Sequence, residues 1–255
     1  MTQRMNKAAS PIKRAKRPKS ATIKGSALAY NAGHAAKYHA KLAGLVAKMR
    51  KETEKAIRDL FDTDHAKAHF GMDASVGSQA RIVLNGLDKR FSSLFGSIAS
   101  AAAPEMVKKS NSLSGKAVEV SLKQLSGGST ISAKSISPEM QSIMKAAIAE
   151  NVQLIKSISK DYLHQVGQQV MRSIVSGQGL SDLLPAVRER GDVSESRAKL
   201  IAYDQTRKVY SALNRERVKR SGIRKFEWIH SGGGKHPREL HQKYARRENG
   251  VEIIE

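Results

Sequence analysis

Histidine is the side chain best placed to do chemistry in this sequence. Cys is absent, which removes thiol nucleophiles, thiolate zinc sites and disulfides. His230, His236 and His241 cluster within 12 residues, and His65 and His69 stand four apart, a spacing that puts two imidazoles on one helix face as a ligand pair. A structural zinc needs four donors and a catalytic one three. Glu239 is the carboxylate nearest the first cluster; neither set is complete, so no metal or cofactor is expected. Gly232, Gly233 and Gly234 precede Lys235, but a phosphate-cradling loop follows a strand and ends in Lys-Ser/Thr. This run therefore reads as a flexible turn. No serine sits in a nucleophile elbow, and no paired carboxylates occupy a glycine-rich pocket motif. The chain reads as a non-enzyme without catalytic residues.

Charge is the stronger signal. Among 255 residues, 45 Lys and Arg face 23 Asp and Glu, a net +22. An excess of that size repels itself and points to a polyanionic partner. No run of 18 apolar residues is present, so the sequence predicts no bilayer span. The basic N-terminus lacks the apolar stretch of a secretory signal. Nucleic acid leads over anionic lipid as the partner. Residues 1–24 alone carry eight Lys and Arg and no acid. Pro11 and Pro18 oppose a helix there and little can be buried, so the stretch reads as a disordered basic tail. Lys13, Arg14, Lys16, Arg17 and Lys19 within it are candidate phosphate contacts.

The elements that must position the remaining residues are helical. Apolar content is 40% with only 5% aromatic, so aliphatic side chains, Ala and Met must build the core. From Ser26 to about Phe61, Leu42, Leu45, Val46, Met49, Ile57 and Leu60 mark one apolar face. A shorter helix is expected from about Gln79 to Ile98, stopped by Pro104. Residues 108–137 are richer in Ser, Gly and Lys. There Val118, Val120 and Leu122 alternate with Glu119 and Ser121, which fits a short strand or hairpin turning at Gly127 and Gly128, or equally a loop. After Pro138, Ile148, Val152, Ile155, Ile158, Tyr162, Val166, Val170 and Ile174 predict a helix over 139–176, with Ser157 and Ser159 offering a break.

Gly177 and Gly179 punctuate its end. Ser181 is then expected to cap a short helix closing near Arg190 and Gly191. Ser194 is expected to cap another running to about Ser221, with Gly222 just past its end. Beyond it, Arg224 to Ile229 reads as a strand and Pro237 as the start of a short helix through His241. The division that results is a tail (1–24), an N-terminal helical region (25–137) and a C-terminal unit (138–255). The last has long helices over 139–221 and a small α+β end over 222–255. The fold class is mainly α with that small α+β unit.

Three segments carry a family resemblance: ENVQLIKSI (150–158), RAKLIAYDQTRKVYSALNRERVKRSGI (197–223) and KFEWIHSGGGKHPRELH (225–241). In order and spacing they resemble the phage Mu F-like head morphogenesis family across Glu150 to Gly250. The shared pattern falls on Arg197, Ala198, Ile201, Ala202, Asp204, Thr206, Arg207 and Asn214, then Trp228, Arg238 and His241. Residues 138–255 are accordingly identified as a Mu F-like domain, with Arg197, Asp204, Arg207, Asn214, Trp228, Arg238 and His241 as its structural motif. The turn after Trp228 carries Ser231 and the glycine triplet where many relatives have an acidic residue.

The resemblance implies a phage minor head protein in the virion, in the head interior or at the portal vertex, and in the host cytoplasm during assembly. Portal and other capsid proteins would be its partners, with a homo-oligomer around the portal as one arrangement and non-specific contact with double-stranded DNA. A free DNA-binding packaging factor is the alternative, and a metal-dependent nuclease or toxin-linked form a remote third.

The expected helix from Ser194 to Ser221 offers Leu200, Ile201, Val209, Tyr210, Leu213 and Val218 as a buried side. Lys199, Arg207, Lys208, Arg215, Arg217, Lys219 and Arg220 would form a basic face. From Arg197 to Arg247, 15 Lys and Arg meet four acids, a net +11. Lys208, Arg215, Arg217, Lys219 and Arg220 are therefore candidate nucleic-acid contacts. Asp204 and Arg207, three apart, are expected to pair. Trp228 reads as a core anchor; a stacking platform would need more than one aromatic.

Overall fold

A computed structural model describes residues 24–62, 74–128, 133, 135–223, 225–226, 239 and 251–252. Four helices dominate them: α1 (Ala32–Phe61), α2 (Ala74–Leu125), α3 (Pro138–Ser176) and α4 (Leu180–Arg220). Two two-residue strands, β1 (Lys225–Phe226) and β2 (Val251–Glu252), pair antiparallel with Lys225 opposite Glu252. The mainly helical reading stands. Of the α+β unit expected over 222–255, the described residues contain that pairing and helical Glu239 within the helix expected through His241. The rest of that helix, and the tail over residues 1–23, lie outside the described residues.

α1 begins six residues later than the periodicity suggested, because Asn31 caps it by accepting the His34 N–H at 2.9 Å. Upstream, residues 24–30 form no regular element; this strap continues the path of α1 as extended chain.

α2 is the largest departure from the sequence reading. It runs unbroken for 52 residues, about 78 Å at a rise of about 1.5 Å per residue. Pro104 lies inside it. A proline removes one N–H and crowds the carbonyl four residues back, here that of Ser100. The neighbours Ala99, Ala102 and Ala103 are small and buried, so the helix is held by packing on both sides of the defect, and the tertiary contacts outweigh the local cost. The strand or hairpin considered over 108–137 is helix as far as Leu125. Val118 and Leu122, read as alternating, are also four apart, and both are buried on one helical face, whereas Val120 is 59% exposed.

Gly127 and Gly128 end α2 instead of turning a hairpin. Both have positive φ, +66° and +107°, and their N–H groups return to the carbonyls of Gln124 and Lys123, a glycine-terminated Schellman closure. The same device ends α4: Gly222, at φ +75°, and Ile223 donate to Lys219 and Val218. Gly177 ends α3 similarly at φ +67°.

α3 is continuous from the Ser137 cap. Ser157 and Ser159 do not break it; their hydroxyls donate to Leu154 and Lys156 carbonyls within the helix. α4 likewise absorbs both helices expected over 181–221. Ser194 is buried mid-helix, donating to Arg190 O at 3.0 Å instead of capping. Gly191 is no terminator either, for the Arg50 side chain lies across it where a Cβ would collide.

The helices bury a single large core. Leu42, Val46 and Met49 of α1, Phe91 and Phe95 of α2, Ile155, Tyr162 and Val166 of α3, and Ala198, Ile201 and Leu213 of α4 all belong to it. Burial holds the Tyr162 phenol up at about 12. A second, small cluster forms where α2 outruns α1: Val118, Leu122 and Ala133, with Leu28, Leu125, Val218 and Ile223 against them. Leu200, expected inside, is 68% exposed.

Candidate nucleic-acid interface

The motif helix α4 touches all three other helices, and its polar residues make those contacts specific. Arg197 donates to Ser157 at 2.9 Å and pairs with Asp161 at 3.0 Å, joining α4 to α3. Asn214 is buried and accepts the Ser114 hydroxyl of α2 at 2.6 Å. Thr206 is buried, donates to Ala202 O at 2.8 Å and hydrogen-bonds the Tyr30 hydroxyl at 2.7 Å. Arg207 lies over the Tyr30 ring, 5.1 Å from its centroid. The expected Asp204–Arg207 pair is not formed. Asp204 instead takes Lys208, one position further, at 2.8 Å, which raises the Lys208 ammonium above its ordinary value. Arg207 is turned to the strap.

Arg217 corrects the reading most sharply. It was expected on the basic face, yet it is only 4% exposed. Its Nε donates to Ala133 O at 3.0 Å, one Nη to Ser114 Oγ at 2.7 Å and the other to Asn111 Oδ1. Burial pulls the guanidinium below its usual value, and Glu119 partly restores it. Arg217 is thus a lock between α4, α2 and the α2–α3 connection, and is no phosphate contact. The helical spacing could have exposed this: Leu213 and Arg217, four apart, share the buried face.

Of the other predicted contacts, Lys208, Arg215, Lys219 and Arg220 are exposed on α4. Lys13, Arg14, Lys16, Arg17 and Lys19 lie outside the described residues, as do Trp228, Arg238 and His241 and the histidine groups His230/His236/His241 and His65/His69. Among the described residues no group of three metal-ligating side chains occurs, and no helix is long and apolar enough to cross a membrane.

Several polar contacts that shape this region carry no sequence signal. Tyr210 donates to Ala29 O at 2.9 Å and packs edge-on to Tyr30 at 6.3 Å. Asn151, fully buried, accepts the Tyr38 hydroxyl at 3.3 Å and donates to Ala147 O and to Gln205. Gln205 passes the chain on to Glu150 at 2.9 Å. Each is a polar group whose role depends on a neighbour distant in sequence.

The rest of the bundle handles charge differently. Arg50 of α1 bonds Asp192 at 2.7 Å and Glu195 at 3.0 Å of α4. Glu54 takes Arg58 and Arg188, each at 2.7 Å, and these hydrogen bonds hold its carboxyl down at about 2. Arg90 of α2 meets Glu52 of α1 at 2.8 Å.

Against known proteins, residues 164–246, the last third of α3, all of α4 and the segment beyond, match the family described as Phage Mu protein F like protein. A Haemophilus influenzae protein of uncharacterised role is 30% identical over 194 residues. Those residues are 75% of this chain and 42% of that relative, so the chain spans well under half of its length. No solved structure matches.

Proposed function

We propose, from the premise that the chain belongs to the phage Mu F-like family through residues 164–246, that it is a minor head protein acting without catalysis in capsid assembly. In this reading it docks near the portal vertex, with the portal and other capsid proteins as partners, and sets basic surfaces against packaged double-stranded DNA. It would work in the virion and, before that, in the host cytoplasm.

The observation that carries the reading is the coincidence of the family match with a net charge of +22. Arg197 and Asn214 of the motif are taken up by helix-to-helix contacts, and the exposed surface of the bundle is read as its working part. Fixed cations on such a surface bind phosphates without reading sequence. A free DNA-binding packaging factor would share the charge but leaves the family match without a role. Detection of the chain in purified heads, together with its position in a cryo-electron microscopy map of the portal vertex, tests the proposal. Presence there at low copy number is expected; a chain recovered only from the soluble fraction of the lysate would overturn it.

A further inference from the structure

The last turns of α2 carry a line of cations that neither the motif helix nor the tail accounts for. Lys109, Lys116 and Lys123 recur every seven residues. Seven residues are nearly two helical turns, with a drift of only about 20°. The three ammonium groups therefore share one face, stepping about 10 Å along the axis each time. All three are exposed, and none of them pairs with a carboxylate among the described residues. Between Met106 and Leu125 the one acid is Glu119, and its carboxylate is turned to the α2–α3 connection, accepting the Ala133 N–H at 3.2 Å. Glu105, four residues before Lys109, is likewise taken by Lys41, so both acids that could have neutralised the line are occupied elsewhere.

The strap gives this line a second, independent feature. Gly25 lies so close to Ser121 that a Cβ would collide with its hydroxyl. Ser26 donates to Gln124 at 2.6 Å, and His34 at the other end hydrogen-bonds Ser110 Oγ at 3.1 Å. The strap thus runs along α2 beside the lysines.

We infer that Lys109, Lys116 and Lys123 form a track for the phosphate backbone of double-stranded DNA. The inference rests on the DNA-facing part of the proposed function and adds the surface that performs it. It differs from the expected α4 face, where Lys208 is committed to Asp204 and Arg207 to Tyr30.

The test uses the full chain and a short duplex, with binding followed as salt is raised. The variant K109Q/K116Q/K123Q is compared with K48Q/K51Q/K145Q, which removes the same charge from exposed lysines elsewhere. All six are surface positions, and circular dichroism checks that helix content is kept. Loss of three phosphate contacts makes the slope of log K against log salt shallower by about 2.7 and weakens low-salt binding more than about tenfold. The control triple should stay near wild type.

A positional readout exploits the absence of Cys: Val120→Cys, on the lysine face, is derivatised with a photo-cross-linker, as is Val175→Cys, exposed near the end of α3. Cross-links to DNA are expected at position 120 and not at 175. Wild-type protein without salt-dependent DNA binding would overturn both the track and the DNA-facing part of the function. Normal wild-type binding with the two triples indistinguishable, or cross-links at 175 alone, would overturn the track only.

Discussion

The α1–α4 seam and the last turns of α2 hold similar numbers of cations and treat them oppositely. Along the seam Arg50, Arg58 and Arg188 each meet a carboxylate, and the Arg50 and Arg188 pairs tie one helix to another. At the far end of α2 the exposed lysines meet none, and Arg217, the one buried arginine among the described residues, is held by neutral oxygens. Net charge in this protein is therefore local. Where charges are matched they serve the fold, and where they are unmatched the fold gains nothing from them, which marks the surface on which a polyanion would be felt.

That contrast can be broken most severely at Arg217. Arg217→Leu would leave Ser114, Asn111 and the Ala133 carbonyl without their donor in a buried site, and should cost about 3 kcal/mol, read from the denaturant midpoint. An unchanged midpoint would mean the lock is dispensable. Next is Gly191→Leu, which drives a side chain into the space crossed by Arg50. Overpacking and the loss of two ion pairs should together cost about 2 kcal/mol.

Glu54→Gln sharpens the comparison through pH. The carboxyl titrates at about 2 in the folded chain against an ordinary 4.5, so its stabilisation is complete above 4.5 and disappears as pH falls toward 2. The wild type should exceed the variant by about 1 kcal/mol at neutral pH, and the gap should close across that window. His34, lowered below 6.5 by burial and by nearby Lys109 against the opposing Met106 contact, adds an earlier acid loss that both proteins share. The smallest effect belongs to the unmatched end: K109Q/K116Q/K123Q should move stability by less than about 0.5 kcal/mol. A large destabilisation there would erase the distinction between the two regions.

The sequence made the helical architecture legible wherever apolar residues kept one period. Leu42, Leu45, Val46, Met49, Ile57 and Leu60, and then Ile155 to Ile174, lie in the core as their spacing required. It misled where a local rule lost to packing. Pro104 was a stop signal, but Phe91, Phe95 and Met106 are buried on either side of it and hold α2 straight through. Gly191 and Ser194 had the residue types of a helix end and a cap, while Arg50 and the core required continuous helix there. Val118 and Leu122 fit a strand alternation and a helical i, i+4 pair equally, and two residues cannot decide between periods.

The site was less legible than the fold, because composition counts charges without placing them. A run of Lys and Arg on α4 looked like one basic face, although Arg217 points inward and Lys208 is neutralised by a neighbour. The α2 lysines were visible as residues, but not as a face until that segment proved helical.

The second small cluster joins Leu28 of the strap to Ile223, just past α4. The strap before α1 and the end of α4 are consequently side by side at one pole, while the Gly177 turn sits at the opposite one, near the start of α2, where Met171 meets Gly77. A label carried at Gln178 would report from the far pole without disturbing either lead. Anything tethered through Lys24 or Ile223 would hang from the end that bears the lysines.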